Sequence, residues 1–201
     1  MQLAFRSVRV LVISGILLSA QTFAAAEDDA IAVIASLHSA ILAEAGQELS
    51  LEQRVAALAP VIGETHDMET MARLTVRRFW RDWSDDQRQR FRQAFERLSI
   101  TTYASRFSGV GPDTFEIVRG EVVDEGNAEV QALIHRPEGE PVEMNYDLRE
   151  EGGSWRIVQV RADGVSELSL MRSSYYEIIE SEGFDGLIEN VESEIADFYD
   201  R

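Results

Sequence analysis

The spacing of apolar residues changes twice along this chain, and this change limits the folds that it can adopt. From residue 28 to residue 107, apolar side chains recur every three or four positions, which is the period of helices with one buried face. Glycine and proline residues between 109 and 112 end this pattern. From residue 115 to residue 160 the apolar period is two, which is typical of half-buried strands. After Asp163-Gly164 the helical period returns, so the sequence predicts helices, then strands, then helices.

The strand region predicts an antiparallel meander. Residues 142–148 alternate strictly between apolar and polar, and Gly152-Gly153 predicts a hairpin turn before the next strand. Short connections between about four strands allow only antiparallel neighbours. The predicted fold class is α+β, with N-terminal helices, a curved meander sheet of about four strands, and C-terminal helices. The two sets of helices together are expected to cover one face of the sheet.

Polar residues mark where the helices begin and end. Ser50 and Ser84 each stand three residues before a glutamine, which is the spacing of a capping box. Asp67 is an N-cap candidate for a third helical segment, whose apolar stripe is expected to continue from Met68 to Trp83. Gly183 is a C-cap candidate that divides the C-terminal helices.

The N-terminus predicts a secretory signal peptide. Two arginines precede an apolar run from Val10 to Ala20, which at about 11 residues is too short to cross a bilayer. Ala24 and Ala26 fit the small-residue rule for cleavage before residue 27, and a cut after Ala24 is the alternative. We therefore expect a signal peptide at residues 1–26 and one soluble, exported domain at residues 27–201.

Charge and composition exclude several classes of function. The 19 basic residues are all arginine, and 36 acidic residues bring the formal net charge to −17. A field of that sign repels nucleic-acid backbones, so no nucleic-acid partner is expected. The chain has no cysteine and only three, widely separated histidines, so we expect neither a metal site nor a cofactor.

Known catalytic motifs are missing from the sequence. There is no Gly-x-Ser-x-Gly, no phosphate-binding glycine loop and no His-Glu-x-x-His. Asp147 and Asp163 are the carboxylates that an enzyme on a cone-shaped α+β fold could use, but Asp147 alternates outward and Asp163 precedes a turn glycine. His38 is expected at the core edge or surface, His66 in solvent, and His135 in cross-strand packing. The sequence therefore favours a protein that is not an enzyme.

Large apolar side chains are abundant on both sides of the predicted boundary between helices and sheet. A closed core and an open apolar cavity both explain this surplus. The side chains concerned are Phe79, Trp80, Trp83, Tyr103, Phe107, Met144, Tyr146, Trp155, Met171 and Tyr175.

Four segments carry a family resemblance: residues 71–76, 87–107, 153–166 and 175–187. Together they resemble the MlaC family, the periplasmic toluene-tolerance or phospholipid-binding proteins of Gram-negative bacteria. The most specific part runs from the strand at Trp155 through its turn into the following helix. The pattern looks closest to the hopanoid-associated branch of that family.

The resemblance implies a carrier that holds the acyl chains of a lipid in an apolar cavity between sheet and helices, without a cofactor. Such a carrier moves phospholipid, or a hopanoid-type lipid, between the outer and inner membranes. Its partners would be an inner-membrane ABC transporter complex with its substrate-binding membrane subunit and an outer-membrane lipoprotein complex. The acidic chain favours docking on partner proteins over attraction to anionic lipid. An envelope adaptor with a closed core is the alternative. The implied lipid contacts are Phe79, Trp80, Tyr103, Phe107, Met144, Tyr146, Trp155, Val165, Leu168, Met171 and Tyr175.

Overall fold

The computed structural model describes residues 14–45, 47–108, 111 and 114–200, with side chains from residue 25 onward. The first half of the predicted signal peptide and most of the predicted helix-breaking segment at residues 109–112 lie outside the described residues. None of the helices in the described part of the chain is both long enough and apolar enough to span a bilayer.

Four helices form the first half of the chain, as the helical period predicted. Ser50 and Ser84 make the predicted capping boxes: each hydroxyl accepts the backbone N–H of the glutamine three residues on, and that glutamine accepts the serine N–H. Asp67 caps the third helix by accepting the Thr70 N–H at 2.9 Å. The helices are α1 (Ser14–Ala45), α2 (Leu51–Thr65), α3 (Met68–Thr75) and α4 (Asp85–Arg106).

The third helix is shorter than predicted. It ends at Thr75, and residues 76–82 form turns closed by the Phe79 and Trp80 N–H groups on the Val76 carbonyl. These turns let Trp83 fold back into the core, where its ring lies 5.4 Å from Phe91 and 4.9 Å from Phe184, between ring centroids. Tertiary packing of one large ring therefore ends the helix before its apolar stripe does.

The sheet is an antiparallel meander in the order β1-β2-β3-β4-β5, with one short strand more than the four or so predicted. The Gly152-Gly153 pair makes the predicted turn between the third and fourth strands, with φ values of 60° and 81°. The strands are β1 (Phe115–Asp124), β2 (Asn127–Ile134), β3 (Val142–Glu151), β4 (Ser154–Ala162) and β5 (Val165–Ser166).

The last element, α5 (Glu167–Tyr199), is two helical segments joined at Gly183, which has φ 75° and ψ −166°. This is the division that the sequence predicted at that glycine. Ser166 caps the first segment by accepting the Ser169 N–H. The first segment follows directly from β5, so the sheet and α5 are joined without a linker.

The helices cover one face of the sheet. Helix α1 comes so close to β1 that a Cβ atom added at Gly120 would lie 2.7 Å from Ile31 Cγ1, which explains why glycine stands there. The opposite face carries charge: Arg161 on β4 pairs with Asp147 on β3 at 2.7 Å and with Glu129 on β2 at 2.5 Å. The core therefore lies between the helices and the inner face of the sheet.

Candidate functional site

Two small cavities lie where α4, α5 and the inner face of the sheet meet. Their volumes are about 70 Å³ and about 30 Å³. They share Thr102, Tyr103, Arg106, Val160 and Glu167 as lining residues, so we treat them as one site and call it the α4–α5 site. This is the place where the sequence predicted an apolar cavity.

The walls of the α4–α5 site are largely apolar and come from five elements, α3, α4, α5, β3 and β4. Methionines stand on three of them, and an unbranched thioether adapts to irregular space more readily than a branched side chain does. The larger cavity is lined by Met71, Phe95, Val160, Leu168, Met171 and Phe198, and the smaller by Phe107, Met144 and Val160. Such a lining suits an apolar ligand of variable shape.

A buried histidine forms part of the wall of the larger cavity. His66 is 1% exposed, and its Nε2 atom lies 3.2 Å from the Tyr103 hydroxyl. The Thr65 hydroxyl donates to the Val61 carbonyl, so its oxygen accepts from Nδ1 of His66, and Nε2 accepts from Tyr103. Burial lowers the pKa of His66 to about 4, so the ring is neutral at neutral pH.

The prediction that His66 faces solvent was wrong, and the backbone next to it explains why. The N–H of Asp67 donates to the Ile157 carbonyl at 2.9 Å, which places the corner between α2 and α3 on the edge of β4. This contact turns the preceding side chain inward. The residues next to His66 in the sequence do not indicate this contact, because β4 comes much later in the chain.

A second buried histidine stands beside the inner face of β3. His38 Nε2 lies 3.0 Å from the Tyr146 hydroxyl, and its ring stacks on Phe115 with centroids 4.2 Å apart. Burial lowers the pKa of His38 to about 4 and raises that of Tyr146 well above its usual range. Both groups are therefore neutral, and the hydrogen bond satisfies the only polar atom of the Tyr146 side chain.

The opening of the α4–α5 site carries charge. Arg106 Nη1 pairs with Glu167 Oε1, and these side chains are 59% and 38% exposed. Glu194 lines the larger cavity. Burial raises its pKa, while Arg106 lowers it and Asp197 raises it. This group could not be predicted from the sequence, because Arg106 and Glu167 are 61 residues apart and each is one of many charged residues on its helix.

Several of the predicted lipid contacts come together at the α4–α5 site. Two others lie in the core beside it: Tyr146 beneath His38, and Tyr175 against Phe91, with ring centroids 5.9 Å apart. The Tyr175 hydroxyl has no hydrogen-bond partner among the described residues. The predicted residues that line the site are Tyr103, Phe107, Met144, Leu168 and Met171.

The remaining four predicted contacts lie away from both cavities. Phe79 packs on Tyr176, with centroids 5.1 Å apart, and Trp80 packs on Trp83 at 6.1 Å, in the turns after α3. Trp155 is buried at the start of β4, and Val165, on the short edge strand β5, is 50% exposed. Their place in lipid binding stays a prediction.

A larger groove of about 450 Å³ lies on the other side of His66, but its lining does not suit an apolar ligand. Burying unpaired charges against hydrocarbon costs several kcal/mol per group, on the order of the energy gained from several methylenes. The groove is lined by Gly63, His66, Asp67, Met68, Glu69, Arg92, Glu96, Glu151 and Arg156. We therefore place the candidate site in the smaller, apolar cavities.

The two carboxylates considered for catalysis have structural roles. Asp147 accepts hydrogen bonds from Gln159 and Arg161, each at 2.7 Å. Asp163 has φ 48° in the turn before β5, and its Oδ1 accepts the Glu143 N–H at 2.9 Å. Within the described residues, no group of three or more histidine or carboxylate side chains is placed to hold a metal ion.

Comparisons with known proteins agree with this geometry. The family model described as "MlaC protein" matches residues 32–193. The fold is similar to that of the phospholipid-binding protein from Ralstonia solanacearum, solved in complex with a phospholipid, with a TM-score of 0.75 and 20% sequence identity. The match covers 85% of this chain and 98% of that one. No curated protein matches the chain.

Proposed function

Because this chain belongs to the MlaC family, we propose that it is a periplasmic lipid carrier whose α4–α5 site takes the acyl chains of a phospholipid or a hopanoid-type lipid. The observation that carries the proposal is the position of the site, between the helical layer and the inner face of the sheet, with an apolar and methionine-containing lining. The match to a fold solved with a phospholipid bound supports it.

Hydrocarbon burial explains why a carrier of this kind needs no energy source of its own. Burying a methylene contributes about 0.8 kcal/mol, so the chains of one lipid represent roughly 20 kcal/mol that must be hidden from water during transit. The bilayer hides them equally well, so transfer between a bilayer and an apolar site is close to neutral. The direction of lipid transfer must then come from a partner that binds the lipid-loaded and the empty carrier with different affinities.

The carrier proposal requires the α4–α5 site to widen. Ligand pockets are commonly about 300–1,000 Å³, whereas the two cavities measure about 70 and 30 Å³. Acyl chains can enter only if α4 and α5 move apart from the sheet. Met71, Met144 and Met171 can repack around the chains, and α5 already consists of two segments joined at Gly183.

The partners that fit this role are those of a transport system that links two membranes. We propose that the protein exchanges lipid with an inner-membrane ABC transporter complex, through its substrate-binding membrane subunit, and with an outer-membrane lipoprotein complex. The net charge of −17 disfavours direct adsorption to anionic lipid. Docking on partner proteins is therefore the expected route of exchange.

Export to the periplasm depends on the proposed signal peptide at residues 1–26. The intact mass of the exported protein should correspond to a chain that starts at Glu27. An Ala24→Arg/Ala26→Arg variant, which places a large charged residue at both candidate cleavage sites, should keep the precursor mass. A wild-type protein that stays in the cytoplasm with its N-terminal segment attached would contradict the export proposal.

The small volumes favour one other function, an envelope adaptor with a closed core. Native mass spectrometry of the protein purified from a periplasm that contains phospholipids and hopanoids, followed by lipid extraction, separates the two. A carrier shows an added mass of one lipid that extracts into organic solvent. An adaptor keeps the mass of the bare protein even after incubation with lipid vesicles and the transporter subunit.

A further inference from the structure

The opening of the α4–α5 site holds three charged side chains from two helices. Arg106 at the end of α4 and Glu167 in the first turn of α5 line both cavities, and Glu194, near the end of α5, lines the larger one. The other ionisable lining residues, His66 and Tyr103, are neutral at neutral pH because burial disfavours their charged forms. One cation and two anions therefore face a ligand that enters here.

The three groups act on one another. Arg106 makes an ion pair with Glu167, and its charge opposes the effect of burial on Glu194, whose pKa is raised. The guanidinium thus pairs with one carboxylate of α5 and acts electrostatically on a second. A guanidinium has five N–H donors, so it can bind a second anion without giving up every bond to the first.

We propose that Arg106, Glu167 and Glu194 form a headgroup site that selects zwitterionic phospholipids over anionic ones. The phosphodiester of the lipid accepts hydrogen bonds from Arg106, and the ammonium group of the same headgroup lies against Glu167 and Glu194. This inference rests on the proposed lipid-carrier function and names the class of lipid that the carrier takes.

Charge accounting separates the two classes of lipid. A phosphate on Arg106 competes with Glu167 for the guanidinium, and a zwitterionic headgroup compensates by bringing an ammonium group to the carboxylate. One ion pair is thereby exchanged for two. An anionic headgroup brings the phosphate alone, so it leaves both carboxylates next to a further negative charge. The carboxylates therefore attract zwitterionic headgroups and also repel anionic ones.

Competition between lipids with identical acyl chains tests the headgroup alone. Delipidated protein is incubated with vesicles that contain equal amounts of phosphatidylethanolamine, phosphatidylcholine and phosphatidylglycerol, then recovered and analysed by native mass spectrometry. We expect phosphatidylglycerol to be under-represented by about threefold. The factor is small because a partly exposed ion pair contributes little to affinity.

Variants assign the selection to the carboxylates. A Glu167→Gln/Glu194→Gln double variant should load the three lipids in the proportions in which the vesicle contains them. Glu192→Gln is the matched control, because Glu192 pairs with Arg97 across the same two helices but does not line either cavity. It should keep the wild-type selection.

The outcomes distinguish this inference from the function on which it rests. Lipid loaded in vesicle proportions by the wild type, or a double variant that selects as the wild type does, would overturn the headgroup site and leave the carrier standing. A protein that takes up no phospholipid in any arm, and no hopanoid from vesicles that contain one, would overturn the carrier proposal itself.

Discussion

The hydroxyl of Tyr146 on β3 lies 3.0 Å from Nε2 of His38 on α1, and this bond joins residues 108 positions apart. Both side chains are buried, and the other ring nitrogen of His38 has no hydrogen-bond partner among the described residues. The bond to Tyr146 is therefore the only hydrogen bond that the imidazole makes to the described residues. It attaches the first helix of the domain to the middle of the sheet.

Removing this hydroxyl should destabilise the protein. In Tyr146→Phe the imidazole of His38 stays buried with no partner, and an unsatisfied buried polar group costs about 1–3 kcal/mol. The free energy of unfolding from urea titration should fall by that amount. Tyr176→Phe is the control, because its hydroxyl accepts the Arg78 N–H at an exposed position and its loss should cost less than about 1 kcal/mol. Equal losses in the two variants would contradict the buried bond.

Stability should fall as the pH is lowered from about 6.5 to about 4. Burial lowers the pKa of His38 and of His66 from 6.5 to about 4 in the folded protein. The unfolded chain therefore binds more protons than the folded one in this interval, and acid favours unfolding. Each histidine can remove up to about 3 kcal/mol by pH 4. Urea midpoints measured between about pH 7 and about pH 4.5 report this slope.

Variants assign the slope to the two buried rings. His38→Gln and His66→Gln keep a side chain that hydrogen-bonds but does not titrate, so each should reduce the slope even if it also lowers the stability at neutral pH. His135→Gln, which removes an exposed histidine that lies 2.7 Å from Glu116, controls for the loss of an imidazole elsewhere. A slope that survives the loss of both buried histidines would assign the acid sensitivity to carboxylates.

Most of the fold could be predicted because its signals lie in neighbouring residues. The capping boxes at Ser50 and Ser84 and the alternation of residues 142–148 place helix starts and strand faces within a few positions. The end of α3 could not be predicted in this way, because it depends on where Trp83 packs. The fifth strand has only two residues, too few to show a period.

The candidate site could be predicted only in part, for a similar reason. The apolar periodicity predicts that Tyr103, Met144 and Leu168 lie on the inward faces of their elements. These faces meet between the helices and the sheet. The bond between His66 and Tyr103 and the pair of Arg106 and Glu167 join residues 37 and 61 positions apart, and no local pattern reports such contacts. Whether the predicted residues touch lipid stays a prediction.

Gly183 should be needed for its backbone conformation alone. Its φ of 75° and ψ of −166° lie in a region that is essentially limited to glycine, and a Cβ atom there would meet nothing within 4 Å. Gly183→Ala should therefore lower the stability by about 1–3 kcal/mol without a steric clash. Gly63→Ala is the control: its Cβ is also in open space, but within α2, where alanine should stabilise by about 0.5–1 kcal/mol. Thermal unfolding of both variants measures the contrast.

Filling the α4–α5 site should weaken lipid binding without unfolding the protein. Met171 is half-buried and lines the larger cavity, so Met171→Trp adds volume there at a cost of about 1–3 kcal/mol in stability. Lipid occupancy from vesicles should fall about tenfold, which corresponds to roughly 1.4 kcal/mol of lost affinity. The neighbouring Leu170 is 62% exposed, so Leu170→Trp adds the same ring outside the site and should bind lipid as the wild type does. A Met171→Trp protein that stays folded and fully loaded would place the acyl chains elsewhere, because the added ring occupies space that the chains need in the larger cavity.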